Sequence, residues 1–194
     1  MHIHDIKPHD GAESTDVHVY RPGDVTEDML HEIAALRLRV WQPYVDKSSN
    51  AHRRTLEDWI DAVDHKAYHL TIMDLDDPTK IAGAARLSLH DSLEDIPEPS
   101  IPKNFPDWQP DLPYAFFGRL VVEPHDRHHG FAHRLDARRS ELAKELGAKM
   151  ALMLAAPWRQ ASLEKIGCET IGTIAAEDLG YIDEVGVFLF KRLL

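Results

Sequence analysis

The sequence predicts a mixed α/β or α+β domain. Three observations predict it: apolar residues recurring at helical spacing, short β-branched and apolar runs between those segments, and turn residues at their borders. Read in order, the elements run β-α-α-β-β-β-α-β-α-β. The 194 residues suit one domain, and 43% hydrophobic with 28% charged residues is a mixture able to bury a core without staples.

Residues 1–16 are polar, carry His2, His4 and His9, and are read as a flexible tail. Val17–Tyr20 alternates and predicts a short strand ended by Pro22-Gly23. Thr26 caps a helix over Thr26–Trp41, with Met29, Ile33, Leu36 and Val40 on one face, and Pro43 is expected to break it. A second helix is expected over Thr55–Val63, with Leu56, Trp59, Ile60 and Val63 apolar. Two strands, Ala67–Leu75 and Ile81–Leu89, flank a hairpin turn. Residues 92–113 then hold Pro97, Pro99, Pro102, Pro106, Pro110 and Pro113, so neither helix nor central strand is expected. Phe105, Trp108 and Tyr114 suggest a lid or substrate wall there. A strand over Ala115–Val122 and a helix over Phe131–Leu146 follow, the helix stopped by Gly147. A buried strand at Met150–Ala155, a helix from Pro157 to Gly167 and a last strand at Val185–Lys191 complete one domain over 17–194.

Thirty-three acidic against 22 basic residues give a formal charge of −11, which disfavours nucleic acid and anionic membranes as partners. No run approaches the roughly 20 apolar residues of a membrane helix. Met1–Asp5 lacks a signal-peptide pattern, and the lone Cys168 permits no intramolecular disulfide. A cytoplasmic protein is expected.

The chemistry is expected in Gly118–Arg134, where a strand runs through a turn into a helix. A helix start offers free N–H groups and a partial positive charge to an anion, and Gly130 lets backbone come close. From His125 to Arg139 four arginines face two aspartates, a basic island in an acidic chain. The ordinary alternative is a surface helix with solvated arginines.

Arg127-x-x-Gly130-x-Ala132, in its strand–turn–helix–strand–helix frame, resembles the Arg/Gln-x-x-Gly-x-Gly/Ala motif of the GCN5-related N-acetyltransferase (GNAT) superfamily. The resemblance implies the acyl-CoA N-acyltransferase fold, a mixed, mostly antiparallel sheet flanked by helices. It implies an N-acetyltransferase moving acetyl from acetyl-CoA to a small-molecule or peptide amine by direct attack, with no metal. The family's pyrophosphate loop falls on Arg127, His128, His129, Gly130, Phe131 and Ala132, with His133 adjacent. Its splayed strand falls on Leu120, Val121 and Val122, whose backbone would pair with the pantetheine arm and polarise the thioester. Glu123 is the candidate base, its alternative a solvated turn residue. The family's helix tyrosine is replaced by Leu163, so Cys168 and Tyr181 stand as candidate acids, with departure of an unassisted thiolate as the alternative. Dimers are common in the family, so a homodimer is an expectation.

Leu36–Trp41 with Gly118–Val121 is also similar to the acyl-homoserine-lactone synthase branch of the same fold. There Arg37, Arg39 and Trp41 would face the acceptor; the alternative is a core tryptophan and solvated arginines. A non-catalytic CoA-binding or protein-interaction module is a further alternative, motivated by the missing tyrosine. His125, His128, His129 and His133 invite a zinc site, but they sit in the phosphate loop and are read as anion partners. The acidic total hints at a cationic acceptor such as a polyamine or lysine.

Overall fold

Alternation along the strands decides the layers. The computed structural model describes residues 16–45, 55–179 and 186–193. The elements in chain order are β1 (His18–Tyr20), α1 (Glu27–Val45), β2 (Tyr68–Met73), β3 (Ile81–His90), α2 (Ser100–Asn104), β4 (Tyr114–Val122), α3 (Phe131–Glu145), β5 (Met150–Ala155), α4 (Pro157–Lys165), β6 (Glu169–Ile174), α5 (Ala176–Leu179) and β7 (Gly186–Arg192). The strands form one seven-stranded sheet in the order β1-β2-β3-β4-β5-β7-β6. Every pairing is antiparallel except β4 with β5.

On β3, Ala85 and Leu87 point to one face, Ala84 to the other. The first face buries Leu135 and Leu142 of α3 and Leu163 of α4. The second takes Ile33, Leu36 and Val40 of α1. Fully burying one such side chain contributes about 1.5–3 kcal/mol, so each helix is held chiefly by its apolar stripe. Helix α3 ends in a Schellman arrangement: Ala148 N–H donates to Ala143 O and Gly147 N–H to Lys144 O, with Gly147 left-handed at φ +82°.

Four expectations need correction. Helix α1 runs through Pro43 to Val45. Pro43 lies in the last turn, where it removes one hydrogen bond, while Trp41 packs on Tyr44 and Tyr44 on Trp158. The expected helix at Thr55–Val63 is instead a single 3₁₀ turn, Glu57–Trp59, and a second, Asp64–Lys66, follows it. Asp61 competes for the backbone there: its Oδ1 accepts from the N–H groups of Val63 and Asp64. The proline-dense segment does contain a helix, α2, because Pro102 sits in its first turn, where no N–H is needed. Strand β6 was not expected: exposed Glu169 and Thr170 give it little apolar pattern, and pairing with β7 makes it a strand.

The insert at 92–113 lies on the α1 face. Phe105 and Trp108 pack on Phe188 at centroid distances of 5.3 and 5.1 Å. It borders a cleft of about 520 Å³ lined by Leu93, Pro102, Phe105 and Leu112 among others. The tail expected over 1–16, Asp16 excepted, lies outside the described residues, as does Tyr181. No helix among the described residues is long and apolar enough to cross a membrane.

Candidate active site

Strands β4 and β5 pair only over Tyr114–Phe116 and Met150–Leu152, then part. Beyond that point β4 is bonded to β3 alone and β5 to β7 alone. A bulge marks the divergence: Ala84 faces Val121 and Arg86 faces Gly118, so Arg119 and Leu120 stand opposite Ala85 alone. Arg119 is left-handed there, at φ +55°. The bulge bends β4 outward, and among the described residues the backbone edge of Leu120–Val122 has no strand partner on the β5 side. Their side chains are taken up by packing, Val121 towards α1 and Leu120 and Val122 towards α3.

At the end of the opening the chain makes a 3₁₀ turn, Pro124–Asp126, and enters α3 through Gly130. Gly130 is left-handed at φ +79° and His128 at φ +74°. A left-handed L-residue costs on the order of 1–3 kcal/mol and gathers at binding loops. No side chain caps α3, so its first N–H groups are unclaimed by a cap. A Cβ built on Gly130 meets nothing within 4 Å, so the turn opens onto space. That space is a cleft of about 320 Å³. Its walls are Val122, Asp126, Arg127, His128, Gly130, Phe131, Ala132, His133 and Asp136 on one side and Arg159, Ser162 and Ile166 of α4 on the other. Seven of the ten expected cofactor residues therefore converge. Leu120 and Val121 lie upstream on the same strand, and the exposed His129 ring sits 6.2 Å from that of Phe131.

Beneath the cleft, Asp136 of α3 accepts from both Arg139 and Arg159. Burial opposes its ionisation, but these guanidiniums outweigh burial and hold its carboxyl below the usual range. Arg139 donates to the carbonyls of Arg86 and Gly118, each at 3.2 Å, and lies over the Phe117 ring. One buried pair thus ties α3 to the bulge, and Arg159 is aimed along the cleft wall.

Glu123, the candidate base, ends β4 with its N–H on Ala82 O at 2.7 Å. Its Oε1 accepts from Arg39 Nε at 2.8 Å and Nη2 at 2.5 Å. It is thus ion-paired and largely covered, unlike a solvated turn residue. Cys168, a candidate acid, is buried in the core with its Sγ 4.0 Å from Met153 Sδ, and burial pushes its thiol up to about 11. Leu163, where the family tyrosine would stand, is core.

Arg37 is neither solvated nor facing a cleft. It is 1% exposed, its guanidinium on both oxygens of Asp64 at 3.0 and 2.9 Å and on Trp59 O at 2.7 Å. Arg86 joins Asp64 at 3.1 Å and Asp61 at 2.6 Å, and Arg119 reaches Asp61 at 2.8 Å. Among the described residues this network sets three guanidiniums against two carboxylates beside the bulge. Sequence reasoning missed it, because Asp61 stood inside an expected helix and Asp64 just past its end, and their partners lie 22–58 residues away.

The four loop histidines do not form one group. His128 and His133 line the cleft, while His125 Nε2 lies 3.1 Å from Asp74 Oδ2 and 3.1 Å from Asp126 Oδ2. The hydrogen bond to Asp74 and the charge of Asp126 raise His125 above its ordinary value. Burial raises Asp126.

No protein-family model matches the chain, and no curated protein sequence is similar to it. Solved structures are. An acyl-CoA N-acyltransferase from Pseudomonas aeruginosa is 19% identical at TM-score 0.63, covering 92% of this chain and 100% of its own. The acyl-homoserine-lactone synthase LasI is 15% identical at TM-score 0.66, covering 94% and 92%. FeeM, an N-acyl amino acid synthase from uncultured soil microbes, is 10% identical at TM-score 0.65, covering 92% and 91%. With its seven-stranded mixed sheet and the helices on both faces, this chain shares the fold of these acyltransferases.

Proposed function

We propose that the protein is an acyl-CoA-dependent N-acyltransferase. One observation carries the reading: an open cleft where an uncapped helix start, left-handed Gly130 and the unpaired edge of β4 meet. In this reading the amides of His128 to Ala132 hold the diphosphate, with Arg127 and Arg159 supplying positive charge and His133 adjacent. The edge at Leu120–Val122 takes the pantetheine arm as an added strand would, and an N–H there polarises the thioester carbonyl. The amine attacks the carbonyl carbon, the C–S bond breaks, and the thiolate leaves with a proton from solvent. Glu123, directly or through water, accepts the proton of the attacking ammonium. The Arg127–Ala132 motif favours coenzyme A as the carrier, with acetyl the proposed acyl group, and the cytoplasm is where that donor and a reduced lone cysteine are expected.

The acceptor reading departs from the whole-chain charge. The surplus guanidinium at the bulge, with Arg119 the partly exposed member beside Trp59, supports an amine that carries its own carboxylate, an amino-acid-like acceptor. A longer acyl chain passed to such an amine, as the names of LasI and FeeM suggest for those proteins, is the second reading this cluster favours.

Calorimetric titration with coenzyme A tests the first step, and thiol release from acetyl-CoA and longer acyl-CoAs across an amine panel tests the second. Micromolar coenzyme A binding and release with amino-acid-like amines are expected. No binding at millimolar ligand would overturn the reading, and tight binding with persistent silence would favour a non-catalytic module.

A further inference from the structure

We infer a divalent-cation site of the zinc class formed by Asp74, His125 and Asp126, beside the proposed acyl-CoA cleft, whose wall Asp126 shares. Asp74 follows the end of β2, and His125 and Asp126 lie in the turn after β4. One ligand atom from each lies within 4.8 Å of the other two. His125 Nε2 is 3.1 Å from an oxygen of each carboxylate, the separation of neighbouring ligands around one ion at roughly 2.0–2.2 Å, and a small side-chain adjustment brings the two oxygens to the same ion.

The hydrogen bonding around the cluster is incomplete in a way that calls for a cation. Asp74 Oδ1 accepts from the N–H groups of Asp76 at 2.8 Å and Asp77 at 3.0 Å, which fixes the carboxylate and turns Oδ2 to His125. Asp126 is 3% exposed, and its Oδ2 accepts no hydrogen bond, although His125 Nε2 is 3.1 Å away. The cause is stoichiometric. Nε2 carries at most one hydrogen, and the alignment that makes a hydrogen bond is the one to Asp74. Two carboxylates share one donor, and the buried one goes without. A buried carboxylate oxygen without a partner is costly, and a dication would serve both oxygens at once.

The donor set narrows the ion. Two carboxylate oxygens and an imidazole nitrogen suit Zn²⁺ or a neighbouring first-row dication, with a further position for water. Ca²⁺ would need six or more oxygens. On binding, the metal–Nε2 bond forms as the Nε2 proton leaves to solvent. The bound ion would tie the β2–β3 turn to the loop that enters α3, and so brace the chain next to Arg127.

The test uses untagged full-length protein titrated with ZnCl₂ by calorimetry and with CoCl₂ by visible absorption. The variants are His125→Gln, Asp126→Asn and a control, His2→Ala/His4→Ala/His9→Ala, that removes the N-terminal histidines. One Zn²⁺ per chain is expected, with affinity reduced at least about tenfold in both site variants and unchanged in the control. The Co²⁺ absorption should disappear in His125→Gln. His125 is exposed, so this variant tests the site even if Asp126→Asn fails to fold. Absence of stoichiometric binding, or binding abolished by the control and kept by His125→Gln, overturns the site. Neither readout depends on acyl transfer.

Discussion

Arg39 Nε and Nη2 both donate to Glu123 Oε1, at 2.8 and 2.5 Å, so a guanidinium on α1 grips the carboxylate at the exit of β4, 84 residues later in the chain. The pair ties α1 to the strand that opens the cleft and fixes where Glu123 can accept a proton. Glu123→Gln is expected to lower kcat about 100-fold or more, the scale of a general base, with the Kd for coenzyme A unchanged. Steady-state kinetics and calorimetry on one preparation check this. A wild-type kcat in the variant would remove Glu123 from the mechanism.

Gly130→Val and Gly130→Asn separate conformation from space. Neither Cβ meets an obstacle, because the position is open. A β-branched residue at φ +79° is strained by about 1–2 kcal/mol and must re-angle the amides that follow, whereas asparagine tolerates this region. Calorimetry should show coenzyme A affinity falling about tenfold or more for valine and much less for asparagine. Equal affinities would show that the turn does not position the ligand.

Acid should weaken the fold through Asp64. Burial works against its ionisation, yet the charge and hydrogen bonds of Arg37, with Arg86 adding to them, hold its carboxyl well below the usual range. The folded protein therefore keeps Asp64 ionised where the unfolded chain would protonate it. That contribution is complete above about pH 4, the unfolded value, and is lost as pH falls towards the folded one. Asp64→Asn should lower stability at pH 7 by about 3–5 kcal/mol, since it leaves Arg37 buried without its charge partner. Urea midpoints from pH 7 to pH 2 should fall less steeply in the variant.

The insert is locked on β6 by close packing at Gly172, where an added Cβ would lie 2.7 Å from Phe105 Cε1. Gly172→Ala is expected to cost about 1–3 kcal/mol by overpacking. Adding Phe105→Ala should cost less than the sum of the two single changes. Thermal midpoints in a double-mutant cycle measure that coupling, and strict additivity would place the contact elsewhere.

Cys168 should be silent to a thiol reagent at pH 8 in the native protein and react promptly once unfolded. It is 5% exposed and its thiol is pushed up to about 11 by burial, so little thiolate is available. Prompt native reaction would restore it as a candidate acid.

Much of this architecture was legible before folding, because local chemistry carried it. Strand β5 falls on Met150–Ala155, and α3 starts at Phe131 and stops before Gly147, since apolar periodicity and glycine at a helix end act within a few residues. The turn at Arg127–Ala132 was legible for the same reason, one glycine at a helix start in a basic island. Strand β6 was not, because its edge position leaves it mostly polar and only β7 makes it a strand.

The parting of β4 from β5, the bulge at Arg119 and the meeting of Arg37, Asp61, Asp64, Arg86 and Arg119 were decided by tertiary structure alone. So was the approach of Asp74 to His125 and Asp126. Spacing along a chain constrains neighbours within a turn or two, whereas these groups are joined across 22–58 residues by sheet register, which depends on every strand at once.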